Sequence, residues 1–113
     1  MSLDVWLIEN KPTRVYDGNI THNLNAMASE VKLKDNLTLY DVLWHPEDVK
    51  IKQAGELAPH LMQGLKMLTD EPERYKTFNP PNGWGSYDGF VQFVREYLAA
   101  CIVSPEAEIG VWR

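Results

Sequence analysis

The last six residues of the chain, Glu108–Arg113, predict a β-strand with Ile109 and Val111 on one face. A long region with helical periodicity precedes this strand, so the strand must find its backbone partner elsewhere in the chain. The first candidate is Leu3–Glu9, a segment rich in β-branched and aromatic residues. Because unpaired backbone groups are costly to bury, the two ends of the chain are expected to meet in one sheet.

The N-terminal strand is also expected to form a hairpin. Asn10–Thr13, with the letters NKPT, is typical of a turn in which proline fixes φ. The segment RVYDGNI that follows predicts the returning strand. Leu3–Glu9 would then be the central strand, and Trp6 and Trp112 could meet across strands, a contact worth about 0.5–1 kcal/mol.

Four main helical segments are predicted between these strands from apolar spacing, with one extra helical turn over Glu73–Phe78. The segments are a helix from Leu24 to Val31, a short helix over Leu37–Trp44 capped by Asp35 or Asn36, a helix over Ala54–Leu68 with Pro59 in its first turn or at a kink, and a helix capped by Ser86 with an apolar stripe from Phe90 to Ile102. The predicted fold is α+β in two layers: a three-stranded, mainly antiparallel sheet against about four helices, in a single domain over 1–113.

Charge and composition exclude several classes of function. The net charge of −5 disfavours binding to nucleic acid. No apolar run approaches the roughly 18–20 residues of a membrane span, and no signal-peptide pattern opens the chain. A single cysteine, Cys101, excludes an internal disulfide and suits a reducing compartment, so we expect a cytoplasmic location.

The polar run Gly18–Asn25, with the letters GNITHNLN, has two interpretations. Thr21 or Asn23 can cap the helix that follows, because their side chains can accept from its free N–H groups. The remaining polar groups could instead form a binding site. His22 and Asn25, together with Asn23, lie where a helix N-terminus could hold an anion or a carboxylate.

The loop Asn79–Ser86, with the letters NPPNGWGS, is the second candidate. Gly83, Gly85 and Gly89 are spaced one residue off the dinucleotide-binding pattern and no convincing strand precedes them, so nucleotide binding is disfavoured. Gly83 and Gly85 can take positive φ on either side of Trp84, which favours a ring folded back onto the domain. The alternative keeps Trp84 exposed as an interface anchor, with Tyr87 beside it.

Metal binding and catalysis have little support in the sequence. The three histidines show no close pairing, and His45–Asp48 is explained more simply as a helix end and an acidic turn. Cys101 lies on an apolar helical stripe, where a thiol is inert. We therefore predict no cofactor, no metal and no catalytic residue. In an enzyme, Asp17, His22 and Asn23 would be the candidates.

Three segments carry a resemblance to a known family. NITHNLNAMASE, LYDVLWHPED and NPPNGWGSYDGFVQFVREYLAAC resemble a family of small, uncharacterised bacterial and phage-associated proteins. The similarity covers about Val15 to Arg113, and NGWG-x-Y-x-G is its most specific part. The resemblance implies a bacterial or phage cytoplasmic setting, and it brings no activity, cofactor or catalytic residue with it.

Two functions therefore stay open. The first is a non-enzymatic accessory protein, of phage origin if the resemblance holds, that binds a protein partner or a second copy of itself through an apolar face or an open strand edge. The second is a small-ligand (anion) binding protein or enzyme, with a pocket between Gly18–Asn25 and the Trp84 loop.

Overall fold

A computed structural model describes residues 2–9 and 14–113. Three strands form one antiparallel sheet: β1 (Ser2–Ile8), β2 (Arg14–Thr21) and β3 (Glu108–Trp112). Their order is β2-β1-β3, so the N-terminal strand is central and pairs with the C-terminal strand, as predicted. The predicted turn Asn10–Thr13 lies outside the described residues.

The helices all follow β2 and precede β3. The described part of the chain contains five α-helices: α1 (Asn25–Ser29), α2 (Leu39–Trp44), α3 (Ala54–Asp70), α4 (Pro72–Lys76) and α5 (Tyr87–Val103). Three 3-10 turns join them, at His22–Leu24, Lys34–Asn36 and Pro46–Val49. The predicted α+β class is confirmed. None of the helices in the described residues is long and apolar enough to cross a membrane.

The two long helices, α3 and α5, run antiparallel. The Gly55 N–H at the start of α3 donates to the Pro105 carbonyl just beyond α5, 2.8 Å away. At the other end, the Tyr87 hydroxyl donates to the Leu68 carbonyl at 2.6 Å. The Ser86 hydroxyl accepts from the backbone of the first turn of α5, which confirms the predicted cap.

The sheet buries one face only. Leu3, Val5 and Leu7 of β1 are buried, whereas the alternate positions Asp4 and Trp6 are exposed or half-buried. This alternation is expected when helices cover one face of an antiparallel sheet and water covers the other. The uncovered face is the largest structural feature that sequence analysis did not single out.

The cap of α2 corrects a prediction. Asp35 and Asn36 do not cap this helix; both have a positive φ of 61° and form a tight turn. Short polar side chains tolerate this conformation. The cap is Thr38, which accepts from the Asp41 backbone while the Asp41 carboxylate accepts from the Thr38 N–H. Such a reciprocal capping box satisfies two otherwise free donors.

The predicted contact between Trp6 and Trp112 also needs correction. The register of β1 and β3 places Trp112 opposite Asp4, and Trp6 opposite Gly110. The two tryptophans therefore lie on the same face but diagonally, and no ring contact between them is found among the described residues. The Trp6 ring lies across Gly110 instead, where an added Cβ would overlap it.

Candidate functional site

The uncovered side of the sheet, called here the open face, is built by the outward positions of all three strands. It consists of Ser2, Asp4, Trp6 and Ile8 of β1, Arg14, Asp17, Asn19 and Thr21 of β2, and Glu108, Gly110 and Trp112 of β3. Three of these side chains are acidic and one is basic, so acidic side chains outnumber basic ones among the described residues of the open face. This excess agrees with the acidic balance of the whole chain.

The ring of Trp6, at the centre of the open face, is contacted from both neighbouring strands. The Trp6 ring lies over Gly110 on one side, and the Arg14 guanidinium lies 4.4 Å from the ring centre. Arg14 is itself held by the Asp17 carboxylate at 2.8 Å. A cation over an indole face is an attractive contact, so Arg14 helps to hold the half-buried ring of Trp6.

Trp112 differs from Trp6 because its side chain is free. It is 71% exposed and lines a shallow hollow of about 430 Å³ together with Asp4, Trp6 and Arg14. A tryptophan at such an exposed edge offers a large apolar surface to any molecule that docks there. The sequence contains the signal for this, since Trp112 alternates with the predicted inward residues of β3.

The Trp84 loop lies next to the open face. Gly83 and Gly85 have φ values of 77° and 99°, as predicted from their positions. Gly85 packs so tightly that an added Cβ would meet Thr21 and Leu24, which joins the loop to the end of β2. The Trp84 ring itself points outward and is 71% exposed. The interpretation that folds this ring onto the core is therefore wrong.

A second hollow, of about 490 Å³, lies between the polar run and the loop. Ser2, Asn19, Thr21, Asn23 and Trp84 line it. It shares Asn19 with the first hollow, so the two hollows form one continuous, uneven surface. None of the described residues that line the second hollow is basic, which gives an anion no charged partner there.

Asn19 fixes the centre of this surface through two donors. Its Nδ2 donates to Ser2 Oγ at 3.0 Å and to Asp4 Oδ1 at 2.6 Å. Asp4 and Asn19 are exposed and Ser2 is half-buried, and the three side chains form a small polar patch between the two hollows. The proximity of Asn19 and Asp4 depends on the register of β1 and β2, which the local sequence pattern does not reveal.

His22 does not join the surface. Its ring lies edge-on to Trp44, with centres 6.1 Å apart, and its Nε2 is buried without a hydrogen-bond partner in the described residues. The neighbouring Thr21 hydroxyl accepts from the Asn23 N–H at 3.3 Å, which begins the helical region. The polar run therefore acts as a helix start. Of the three predicted ligand residues, Asn23 lines the second hollow, whereas His22 and Asn25 line neither of the two hollows described above.

Tyr87 is also turned away from the surface. The residue is buried, and its hydroxyl donates to the Leu68 carbonyl at 2.6 Å. Leu68 lies in the last turn of α3, where the residue four positions on is Pro72, which has no N–H to offer. Tyr87 thus completes the end of α3, and the hydroxyl has no geometry for a ligand contact.

The residues with metal-binding or nucleophilic chemistry are dispersed. Within residues 2–9 and 14–113, no group of three or more His, Cys, Asp or Glu side chains converges on one point. His45 shares a hydrogen bond with the Tyr40 hydroxyl at 3.2 Å and lies 3.6 Å from the Asp48 carboxylate. Cys101 is buried, and burial raises the pKa of its thiol to about 12.

Comparison with known proteins gives no relative. No protein-family model matches the chain, and no curated protein and no solved structure is significantly similar to it. The function must therefore be argued from the surface itself.

Proposed function

We propose that this chain is a non-enzymatic interaction protein that binds another protein through the open face and the adjoining Trp84 loop. One observation carries the proposal. Trp84 and Trp112, each 71% exposed, line two hollows that share Asn19. Exposed tryptophans at the rim of a concave, partly polar surface are typical of the anchors that contribute most to protein–protein affinity.

The residues between Trp84 and Trp112 are already held by contacts within the chain, which favours a binding surface that is formed before the partner binds. Trp6 is held between Gly110 and Arg14, and Asn19 is held by its two acceptors. A surface whose centre is already ordered loses less conformational entropy on binding. The free tryptophans at the edges would then supply apolar contact while the ordered centre sets the orientation.

The charge of the open face favours a partner other than a second copy of this chain. In a two-fold dimer through this face, the carboxylates of Asp4 and Asp17 on one copy would lie close to those of the other copy. Like charges facing one another cost affinity. The partner surface that fits has apolar patches that receive the two tryptophans, and lysine or arginine side chains that face the carboxylates of the open face.

A cross-linking experiment tests this proposal in the source cells. Asn23, an exposed residue that lines the second hollow, is replaced by a photo-reactive phenylalanine analogue, and the same analogue replaces Met62 as a control. Met62 is 54% exposed on α3, away from the open face. We expect one discrete adduct from position 23 that is absent from position 62. Equal adducts from both positions, or none from position 23, would contradict the proposal.

One observation favours a second function, the binding of a small ligand. The hollow of about 490 Å³ is lined by residues of both segments that sequence analysis singled out, Thr21 and Asn23 on one side and Trp84 on the other. Its lining of amides, hydroxyls and one indole suits a neutral, hydroxyl-rich molecule better than an anion. A thermal-shift screen with neutral sugars, nucleotides, sugar phosphates and divalent metals tests this, because a ligand of the native state raises the melting temperature.

The three residues named as catalytic candidates, Asp17, His22 and Asn23, do not support an enzymatic function, because His22 and Asp17 contact different parts of the structure. His22 is packed edge-on to Trp44, whereas Asp17 pairs with Arg14 on the open face. The bacterial or phage setting and the cytoplasmic location remain predictions that rest on the resemblance and on the single cysteine.

A further inference from the structure

The Trp84 loop contains the only Asn-Gly pair in the sequence, Asn82-Gly83. Both residues are exposed. Apart from its chain neighbours, no atom of the described residues lies within 4 Å of the position that a Cβ on Gly83 would take. A peptide nitrogen without a shielding side chain can approach the side-chain carbonyl of the asparagine before it, and so can attack it.

The backbone around this pair restrains the Gly83 nitrogen only weakly. Its N–H donates to the Pro80 carbonyl at 3.3 Å, in a turn with Pro81 at the second position and Gly83 at the fourth. This bond is longer than the usual range of about 2.7–3.2 Å. Gly83 has a φ of 77°, which glycine adopts without steric cost. The nitrogen can therefore turn toward the Asn82 side chain at little cost.

The side-chain amide of Asn82 is held in a way that favours the same attack. Its Oδ1 accepts a hydrogen bond from the Trp84 N–H at 2.9 Å. When a nitrogen adds to the amide carbon, negative charge develops on this oxygen. A donor that is already placed on the oxygen stabilises the transition state. The Trp84 N–H therefore has the position of an oxyanion-hole donor.

The other described asparagines lack this combination. Asn36 is a close match, since it is exposed, lies in a tight turn, and is followed by an N–H that donates to the Lys34 carbonyl, also at 3.3 Å. That N–H belongs to Leu37, whose half-buried side chain shields the nitrogen. Asn79 is followed by Pro80, which has no N–H. Each remaining described asparagine is also followed by a residue with a side chain.

We propose that Asn82 is a site of intramolecular modification, at which the folded chain converts this side-chain amide to a carboxylate. The Gly83 nitrogen loses its proton to a solvent base and forms a bond to Cγ of Asn82. The bond from Cγ to Nδ2 breaks, and ammonia leaves with a proton taken from solvent. Water then opens the resulting succinimide at either carbonyl, which gives aspartate or isoaspartate at position 82.

The isoaspartate product changes the loop beyond its charge. Its main chain passes through the former side-chain carbonyl, which adds one carbon atom between positions 82 and 83. Gly85 packs tightly against Thr21 and Leu24, so the far end of the loop is held and the change falls on Trp84. The modification therefore moves an indole that lines the second hollow. Its effect on partner binding rests on the proposed function, whereas the reaction does not.

The test incubates the purified full chain at pH 8.5 and 37 °C and follows each asparagine by peptide mapping with mass spectrometry. We expect position 82 to be converted at least tenfold faster than Asn36. We also expect the folded chain to react at least as fast as the chain unfolded in guanidinium chloride, where the Trp84 N–H no longer lies on Oδ1. Conversion at position 82 no faster than at Asn36, or slower in the folded chain than in the unfolded chain, would overturn the proposal.

Two variants test the chemistry of the pair. Gly83→Ala adds the shielding methyl group and should slow conversion at position 82 at least tenfold. Because alanine is strained at a φ of 77°, circular dichroism checks the fold of this variant. Asn82→Gln keeps the amide but moves it one carbon further from the nitrogen, and should stay unmodified over the same time. Conversion of either variant at the native rate would overturn the proposal.

A third variant, Asn82→Asp, separates the effect of charge from that of the added main-chain atom. The indole N–H signal of Trp84 in nuclear magnetic resonance should shift more in the purified isoaspartate form than in Asn82→Asp. Equal shifts would overturn the predicted movement of Trp84. None of these measurements needs a partner, so a chain that is modified at position 82 but binds no protein would contradict the proposed function alone.

Discussion

The ring of Trp6 covers Gly110 on the neighbouring strand so closely that an added Cβ would overlap the ring unless the ring moved. This contact sets the geometry of the open face, because the other side of the same ring receives the Arg14 guanidinium at 4.4 Å. A glycine is needed at 110 to admit the ring, and the ring in turn positions Arg14 and its partner Asp17.

Gly110→Ala should lower the free energy of unfolding by about 1–3 kcal/mol, the usual cost of overpacking, since the ring must move to admit the methyl group. Urea denaturation measures this. In a Trp6→Leu background the same substitution should cost less, because the overlapping ring is gone. A double-mutant cycle with no coupling between positions 6 and 110 would contradict the described packing.

Tyr87→Phe should lower the free energy of unfolding by about 1–3 kcal/mol, because the Leu68 carbonyl would be left buried without a donor. Tyr40→Phe is the matched control and should cost less, since that hydroxyl contacts the partly exposed His45. Binding to a protein partner should be the same for Tyr87→Phe and the native chain. A loss of binding without loss of stability would restore Tyr87 as a contact residue.

The capping carboxylate of Glu56 should make stability depend on pH. Backbone N–H groups lower its pKa in the folded state, so its contribution is present above the ordinary carboxylate pKa and is lost as pH falls through the folded pKa. Glu56→Ala should therefore lower the melting temperature at pH 7 and have little effect at pH 2. Glu56→Gln is the control, because its amide oxygen can still accept the capping hydrogen bonds but the side chain cannot titrate. If Glu56→Ala lowered the melting temperature equally at pH 7 and pH 2, the capping role of the carboxylate would be contradicted.

The thiol of Cys101 should resist modification in the native protein at pH 8, because burial raises its pKa to about 12. Since the folded pKa lies above the unfolded value, the associated stability is complete below the unfolded pKa and is lost as pH rises through about 12. Burial likewise raises the pKa of Tyr16 to about 12. Denaturation curves from pH 8 to 12 should show falling stability, with a smaller fall in Cys101→Ala. Rapid labelling of Cys101 by a thiol reagent in the folded chain would contradict its burial.

The order of the strands was predictable from the sequence, because few other segments could pair with the C-terminal strand and the N-terminal strand was the first candidate. The sequence also predicted that Trp6 and Trp112 lie on the same face of the sheet. It did not predict the register of β1 and β3, in which Trp6 lies opposite Gly110 and its ring covers that residue. The glycines around Trp84 indicated where φ is positive, but not that the ring points outward. Both errors concern tertiary geometry that local patterns do not encode.

The open face was missed for the same reason. Asp4, Asn19 and Ser2 are distant in sequence and come together only when β1 and β2 pair. His22 looked functional because of its polar neighbours, yet these neighbours begin a helix and its ring packs on Trp44.

The most direct test of the central claim is the affinity of the cross-linked partner for purified variants, measured by isothermal titration calorimetry. We expect Trp112→Ala and Trp84→Ala each to weaken binding at least tenfold, while Met62→Ala leaves the affinity unchanged and added salt weakens binding of the native chain. Affinities of the tryptophan variants equal to that of Met62→Ala would contradict the claim that the open face is the binding surface.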